Sequence, residues 1–268
     1  MSIAFIAVIC ALLYLAASGL QLLSISQQRG QTSRTVIGLG LAALVGHAIV
    51  AYTSVVSDGG LDLGFYKVSA LIFLLVNVAC LLSLLRRPLQ NLLVLLFPLS
   101  AVSVLVSTFG PSTSALSDGT MGVGMTLHIG SSMLAYAVLT LAAIQSAVIA
   151  VQDHQLKHRH TRGIIQVLPP LQLMETILFE LLWVGVIMLT IAIGSGAVFI
   201  DDIFAQHLVH KTVLTIFAWA LFSLLLWGHY QLGWRSQTAV RLTLAGFALL
   251  MLAFFGSKLV LELVLNKP

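Results

Sequence analysis

Eight histidines give this chain its clearest capacity for chemistry. A neutral imidazole can be buried without the cost of a charge, and its unprotonated nitrogen suits Fe, Zn and Cu. His47 lies near the middle of the apolar run 35–57. His128 stands about five residues inside one end of the run 123–151, roughly 6–9 Å deep at the rise of a helix. His207 and His210 are three apart at the start of the run 208–230 and so share a helical face, while His229 marks the far end of that run. His128, His207 and His210 thus gather toward one membrane face as a candidate ligand set. The alternative for a lone membrane histidine such as His47 is a hydrogen-bonded packing residue. His154, His158 and His160 share a segment with Lys157, Arg159 and Arg162 and read as a solvated loop.

Other residue types offer little. Charge at depth in a bilayer is expensive, so intramembrane polar residues are the places to look for function. Asn77 and Gln145 are neutral and suit hydrogen bonds to neighbouring helices. Glu175 and Glu180 fall near one end of the run 173–200, where a partly solvated helix terminus accounts for them. No carboxylate sits at a midplane, which leaves a proton-coupled pump with nothing to work on. Cys10 and Cys80 lie in separate apolar runs and form no CxxC, so they read as two buried thiols. HExxH, CxxCH, a P-loop and a G-x-S-x-G elbow are all absent, so neither a hydrolase nor a nucleotide site is supported.

The elements that must position these residues follow from composition. Of 268 residues, 59% are apolar and 8% charged, whereas a soluble surface calls for about a quarter charged. Lipid is therefore the expected solvent. The 13 Lys and Arg are scattered between apolar runs and make no basic face, so nucleic acid is set aside as a partner. Runs long enough to cross about 30 Å of hydrocarbon are 3–25, 35–57, 67–85, 90–108, 123–151, 173–200, 208–230 and 238–264. The expectation is an all-α, polytopic membrane helix bundle of about eight spans, forming one integral membrane domain over 1–268. The first run has neither a basic leader nor a persuasive cleavage site and reads as an uncleaved helix. Pro98 predicts a kink in the fourth span, and Gly194 and Gly196 predict close helix approach in the sixth. The two halves show no convincing repeat, which disfavours an inverted-repeat transporter.

Loop charge sets the expected orientation. Arg29, Arg34, Arg86, Arg87, Lys157, Arg159, Arg162, Arg235 and Arg241 fall at the odd connections, and Asp58, Asp62, Asp118, Asp201 and Asp202 at the even ones. The positive-inside rule then makes the odd connections cytoplasmic and both termini external. Lys67 and Lys211 lie on the outer side, each at a helix start from which it can snorkel.

The segment LHIGSSMLAYAVLTLAA at 127–143 resembles the histidine-bearing helix H-[VI]-x-x-x-x-L-x-Y-A of the cytochrome c assembly family, the CcsA and CcmC proteins that handle haem at the outer membrane face. HKTVLTIFAWALFSLLLWGHY is similar to that family's K-x-T…W…F helix, and GWRSQTAVRLTLAGFALLMLAFFGSKLVLE to its last helix with the Phe-Gly step. The likeness covers nearly the whole chain and is greatest to the YpjD-type subgroup of inner-membrane proteins. It implies a multi-pass protein of the bacterial inner membrane, with haem as cofactor and the bilayer and a second membrane protein as partners.

Two departures limit what carries over. The haem-handling members have a Trp-rich WGxxWxWD stretch before the seventh helix, where this chain reads GSGAVFIDDIFAQHLVHK without tryptophan. They also place a second external histidine after the Phe-Gly step, where this chain reads GSKLVLELVLNKP. By the resemblance His128 matches the first external haem ligand, and His229 lies close to the family's inner histidine. His210 is the candidate replacement for the lost ligand and His47 the other, so the cofactor-binding set is His128, His210, His47 and His229, with His128 and His210 on the iron. Two functions are expected from this: haem binding or transfer at the outer leaflet, without bond chemistry of its own, or a HemX-like non-catalytic subunit or regulator that keeps the fold alone. A small-molecule permease has only the helix count in its favour.

Overall fold

The computed structural model describes residues 2–27, 33–57, 60–110, 116–117, 122–158, 167–199 and 209–256. Eight helices among them are long and apolar enough to cross a membrane. In hydrocarbon every backbone donor and acceptor must be satisfied within the protein, and a helix does this within one segment. The chain is accordingly a multi-pass membrane helix bundle. The helices are α1 (Ile3–Ser26), α2 (Arg34–Val55), α3 (Phe65–Ser83), α4 (Leu93–Phe109), α5 (Val123–Lys157), α6 (Leu171–Phe199), α7 (Val209–Leu232) and α8 (Ser236–Met251). A 3₁₀ turn, Gln90–Leu92, leads into α4, and a π-helical turn, Leu252–Gly256, extends α8. The final stretch expected to be apolar span, 257–264, lies outside the described residues.

The helices form two compact units, one built on α1–α4 and one on α5–α8. In the first, small residues Ala7, Ala11 and Ala17 of α1 and Ala43 of α2 are buried, while Leu12, Leu15, Leu41 and Val45 point outward. Small interior and large exterior residues suit a bundle in lipid, where close backbone approach replaces the hydrophobic drive. Pro98 lacks the N–H that would bond the Val94 carbonyl. Ser18 of α1 supplies the missing donor, its Oγ lying 3.0 Å from that oxygen. Asn77 performs the expected helix joining: its Nδ2 donates 2.7 Å to the Phe73 carbonyl and 2.5 Å to Ser100 Oγ on α4.

An addition absent from the sequence reading is a small antiparallel sheet at one end of this unit, β1 (Val56–Ser57), β2 (Gly60–Asp62) and β3 (Leu116–Ser117), in that order. The Lys67 ammonium donates there to the Asp62 carboxylate, whose other oxygen accepts from Gly64 N at 2.9 Å.

In the second unit α5 runs six residues past the expected end at 151. Asp153 and Lys157, one turn apart and bonded at 2.7 Å, hold this extension as helix. His154 is thereby helical and His158 caps the helix, both exposed, with ring centroids 4.4 Å apart; His160 lies outside the described residues. Gln145 Nε2 donates 3.1 Å to the Met174 carbonyl and joins α5 to α6. The expected close approach at Gly194 is not found, since that glycine faces open space. Gly185 takes the part instead: a Cβ there would meet Leu139 Cδ2 of α5 at 2.5 Å.

Candidate functional site

His128 sits on the second turn of α5, half-buried. One turn earlier Gly124 lets the Phe199 ring of α6 lie against the α5 backbone, where a Cβ would be 2.2 Å from Phe199 Cγ. This close contact brings α6 near enough for the Ala192 carbonyl oxygen to lie 2.8 Å from His128 Nδ1. A carbonyl only accepts, so the ring nitrogen is the donor and carries the proton. In the neutral ring the Nε2 lone pair is then the open one. A metal-binding imidazole is ordinarily held in this way, with its remote N–H on a carbonyl that fixes tautomer and orientation.

Lys211, on the first turn of α7, and Phe254 belong to the same unit. The Lys211 Nζ stands 5.2 Å from the centre of the Phe254 ring, a cation–π contact. Phe254 belongs to the π-helical turn, and such turns recur at functional sites. Tyr136 of α5 secures that turn from below: its ring lies 5.4 Å from Phe254, and its hydroxyl donates 2.8 Å to the Leu250 carbonyl. Neither Lys211 nor Phe254 stood out in the sequence as a site residue. Phe254 carried one signal, its place as the aromatic residue just before the Phe-Gly step, Phe255–Gly256.

The remaining histidines are elsewhere. His210 is exposed on the first turn of α7, next in sequence to Lys211, and His207 lies outside the described residues. His229 stands 18 residues beyond Lys211 on the same helix, about 27 Å away along its axis. Its Nδ1 also donates to a carbonyl, that of Trp234 at 2.9 Å, and its ring stacks on Phe179 with centroids 3.5 Å apart and planes 16° apart. The turn that carries Trp234 is held by Gly233 at φ +69° and by Glu175, whose Oε1 accepts from Ser236 N at 2.8 Å. His47 belongs to the first unit and has no exposed surface. Tyr14 OH and His47 Nδ1 are 3.2 Å apart, and Phe97 packs against Tyr14. The bond to Tyr14 is consistent with the hydrogen-bonded packing alternative for His47.

Among the described residues no three His, Cys, Asp or Glu side chains are placed to hold one metal ion. A metal held wholly by protein ligands is thus not built there. A porphyrin brings its own four nitrogens and asks the protein for an oriented axial imidazole in an apolar wall. His128, with Nδ1 held on the Ala192 carbonyl and Nε2 as the remaining nitrogen, fits the call for an oriented axial imidazole.

The eight apolar helices place the chain in the class of multi-pass membrane helix-bundle proteins. The chain is a member of the cytochrome c assembly protein family, whose description matches residues 2–265. It is 32% identical to the inner membrane protein YpjD of Escherichia coli K-12 over 240 residues, 89% of this chain and 90% of that protein. It is 28% identical to the protein HemX of Brevibacillus brevis over 159 residues, 58% of each chain. No solved structure matches.

Proposed function

We propose that the chain is a haem-binding protein of the bacterial inner membrane that holds or presents haem near the outer leaflet, through His128. The observation that carries this reading is the bond from His128 Nδ1 to the Ala192 carbonyl, which leaves Nε2 as an oriented ligand. Family membership supports it, as does the inner-membrane relative. The loop-charge orientation, with both termini outside, brings the His128 end of α5 to the external face. His210, exposed one position before Lys211, is the candidate for a second axial ligand. Bound iron porphyrin supplies electron-transfer chemistry. The residues of this chain would bind and orient it, with His128 as the axial ligand and Phe199 packed on Gly124 one turn before it. His229, at the far end of the unit, takes no part in this site.

The test is the absorption spectrum of the full chain purified in detergent, before and after haemin is supplied. A Soret band is expected, and split reduced bands would report two histidine ligands. A protein that stays colourless after supplementation overturns the reading.

A second reading, a membrane subunit or regulator that keeps the fold without transferring haem, is favoured by one observation. The stretch GSGAVFIDDIFAQHLVHK has no tryptophan. The match to HemX is consistent with it. A colourless wild-type protein would make this reading the leading one.

A further inference from the structure

We infer that Ser195 is a positioning residue that tunes His128 through a carbonyl the two side chains share, holding the imidazole in a weaker bond than the Ala192 oxygen would otherwise accept from it. The shared carbonyl is a property of the chain alone, and its consequence for iron rests on the proposed haem reading.

Three donors converge on the Ala192 carbonyl oxygen. By its place within α6 that oxygen accepts the N–H of Gly196, four residues on. The hydroxyl of Ser195, a buried side chain on the next turn of the same helix, donates to it at 3.1 Å. His128 Nδ1 donates to it at 2.8 Å from α5. A carbonyl oxygen has two lone pairs, so three donors exceed what it can serve at full strength. Each draws on the same electron density, and each bond is weaker than it would be with one donor fewer. The Gly196 bond belongs to the helix ladder, whereas the Ser195 bond is an addition of the kind by which serine competes for helix carbonyls. Removing the hydroxyl thus frees the oxygen for the imidazole.

The strength of the Nδ1 bond reaches the other ring nitrogen. A histidine that donates more strongly through Nδ1 has a more basic Nε2 and is the better metal donor. A more electron-rich axial imidazole favours ferric over ferrous iron and lowers the reduction potential. By drawing on the Ala192 oxygen, Ser195 sets Nε2 as a softer donor and the potential of a bound haem higher.

The first test needs no haem. The full chain is labelled with 15N-histidine, purified in detergent, and its ring nitrogens are read by long-range nitrogen–proton NMR, with His128→Gln assigning the His128 signals. Ser195→Ala, which keeps a strong helix former in α6, is expected to move the His128 Nδ1 signal to lower field, as a stronger bond does. His229, bonded to the Trp234 carbonyl at 2.9 Å, is the internal reference and should not move. Ser195→Thr should return the His128 signal toward its wild-type position. Ser195→Cys, whose thiol is a weaker donor, should fall between wild type and Ser195→Ala, so the series is informative even if one variant fails to fold. An unmoved His128 signal, or movement to higher field, overturns the inference. The second test is redox titration of the haemin-loaded proteins: a lower potential in Ser195→Ala, reversed in Ser195→Thr, is expected, and an unchanged potential overturns the tuning of iron. A wild type without a Soret band overturns the haem reading, while the nitrogen shifts still decide the shared carbonyl.

Discussion

The carbonyl oxygen of Ala192 lies 2.8 Å from Nδ1 of His128, so a backbone atom of α6 decides which nitrogen of an α5 side chain stays open. His229 repeats the pattern at the other end of the unit, with Trp234 providing the carbonyl. The two differ in their surroundings. Phe199 of α6 packs on Gly124 one turn before His128, whereas His229 is itself stacked face to face on Phe179.

His128→Ala is therefore expected to alter the haem spectrum and lower occupancy several-fold, with the protein still inserted and folded. Loss of a partly exposed imidazole leaves an apolar pocket that retains porphyrin weakly. His229→Ala should leave the spectrum of the His128 site unchanged, because His229 lies about 27 Å along α7 from Lys211, near the other end of that helix. Haem content and spectra at equal protein check this. A wild-type spectrum in His128→Ala removes that residue as ligand.

Orientation is open to a direct check at described residues. Alkaline phosphatase fused after Asp62 is expected to be active, and fused after Arg87 or Lys157 inactive, because basic loops stay in the cytoplasm. The reverse pattern would turn the His128 end of α5 to the cytoplasm and end the outer-leaflet assignment.

Replacement of His154, His158 and His160 together by Gln should leave haem content and spectrum unchanged. His154 and His158 are exposed on the last turn of α5 and its cap, about 39 Å and 45 Å along the helix from His128. A fall in bound metal on their removal would show a site at that end of the helix.

The spans were legible because a lipid-facing helix must be apolar on nearly every side over about 20 residues, a signal that needs no partner. Where α5 ends was not, since its final turns rest on the Asp153–Lys157 pair and not on hydropathy. His128 could be picked out from its type and depth, and from its likeness to a family helix. Its partner could not, because every residue has a carbonyl and only the packing of α6 selects that of Ala192. The contact of Lys211 with Phe254 was hidden for a related reason: the two are 43 residues apart in sequence. His47 shows the same limit, since Tyr14 is 33 residues distant.

The contact between Ser18 and Val94 gives a stability test independent of any ligand. Pro98 removes the N–H that α4 would otherwise offer to the Val94 carbonyl, and Ser18 Oγ, 3.0 Å away on α1, replaces it. Ser18→Ala should leave that oxygen without a donor in a dry interior, costing about 1–3 kcal/mol. Pro98→Ala restores a backbone N–H four residues on, so the helix can then satisfy Val94 by itself. Ser18→Ala is accordingly expected to cost less in the Pro98→Ala background than in the wild type. The four proteins form a double-mutant cycle, measured by thermal or denaturant unfolding in one detergent. Strictly additive losses would show that the Ser18 bond does not compensate for the proline. A coupling of about 1 kcal/mol in the stated direction would show that a side chain on α1 completes the hydrogen bonding of α4.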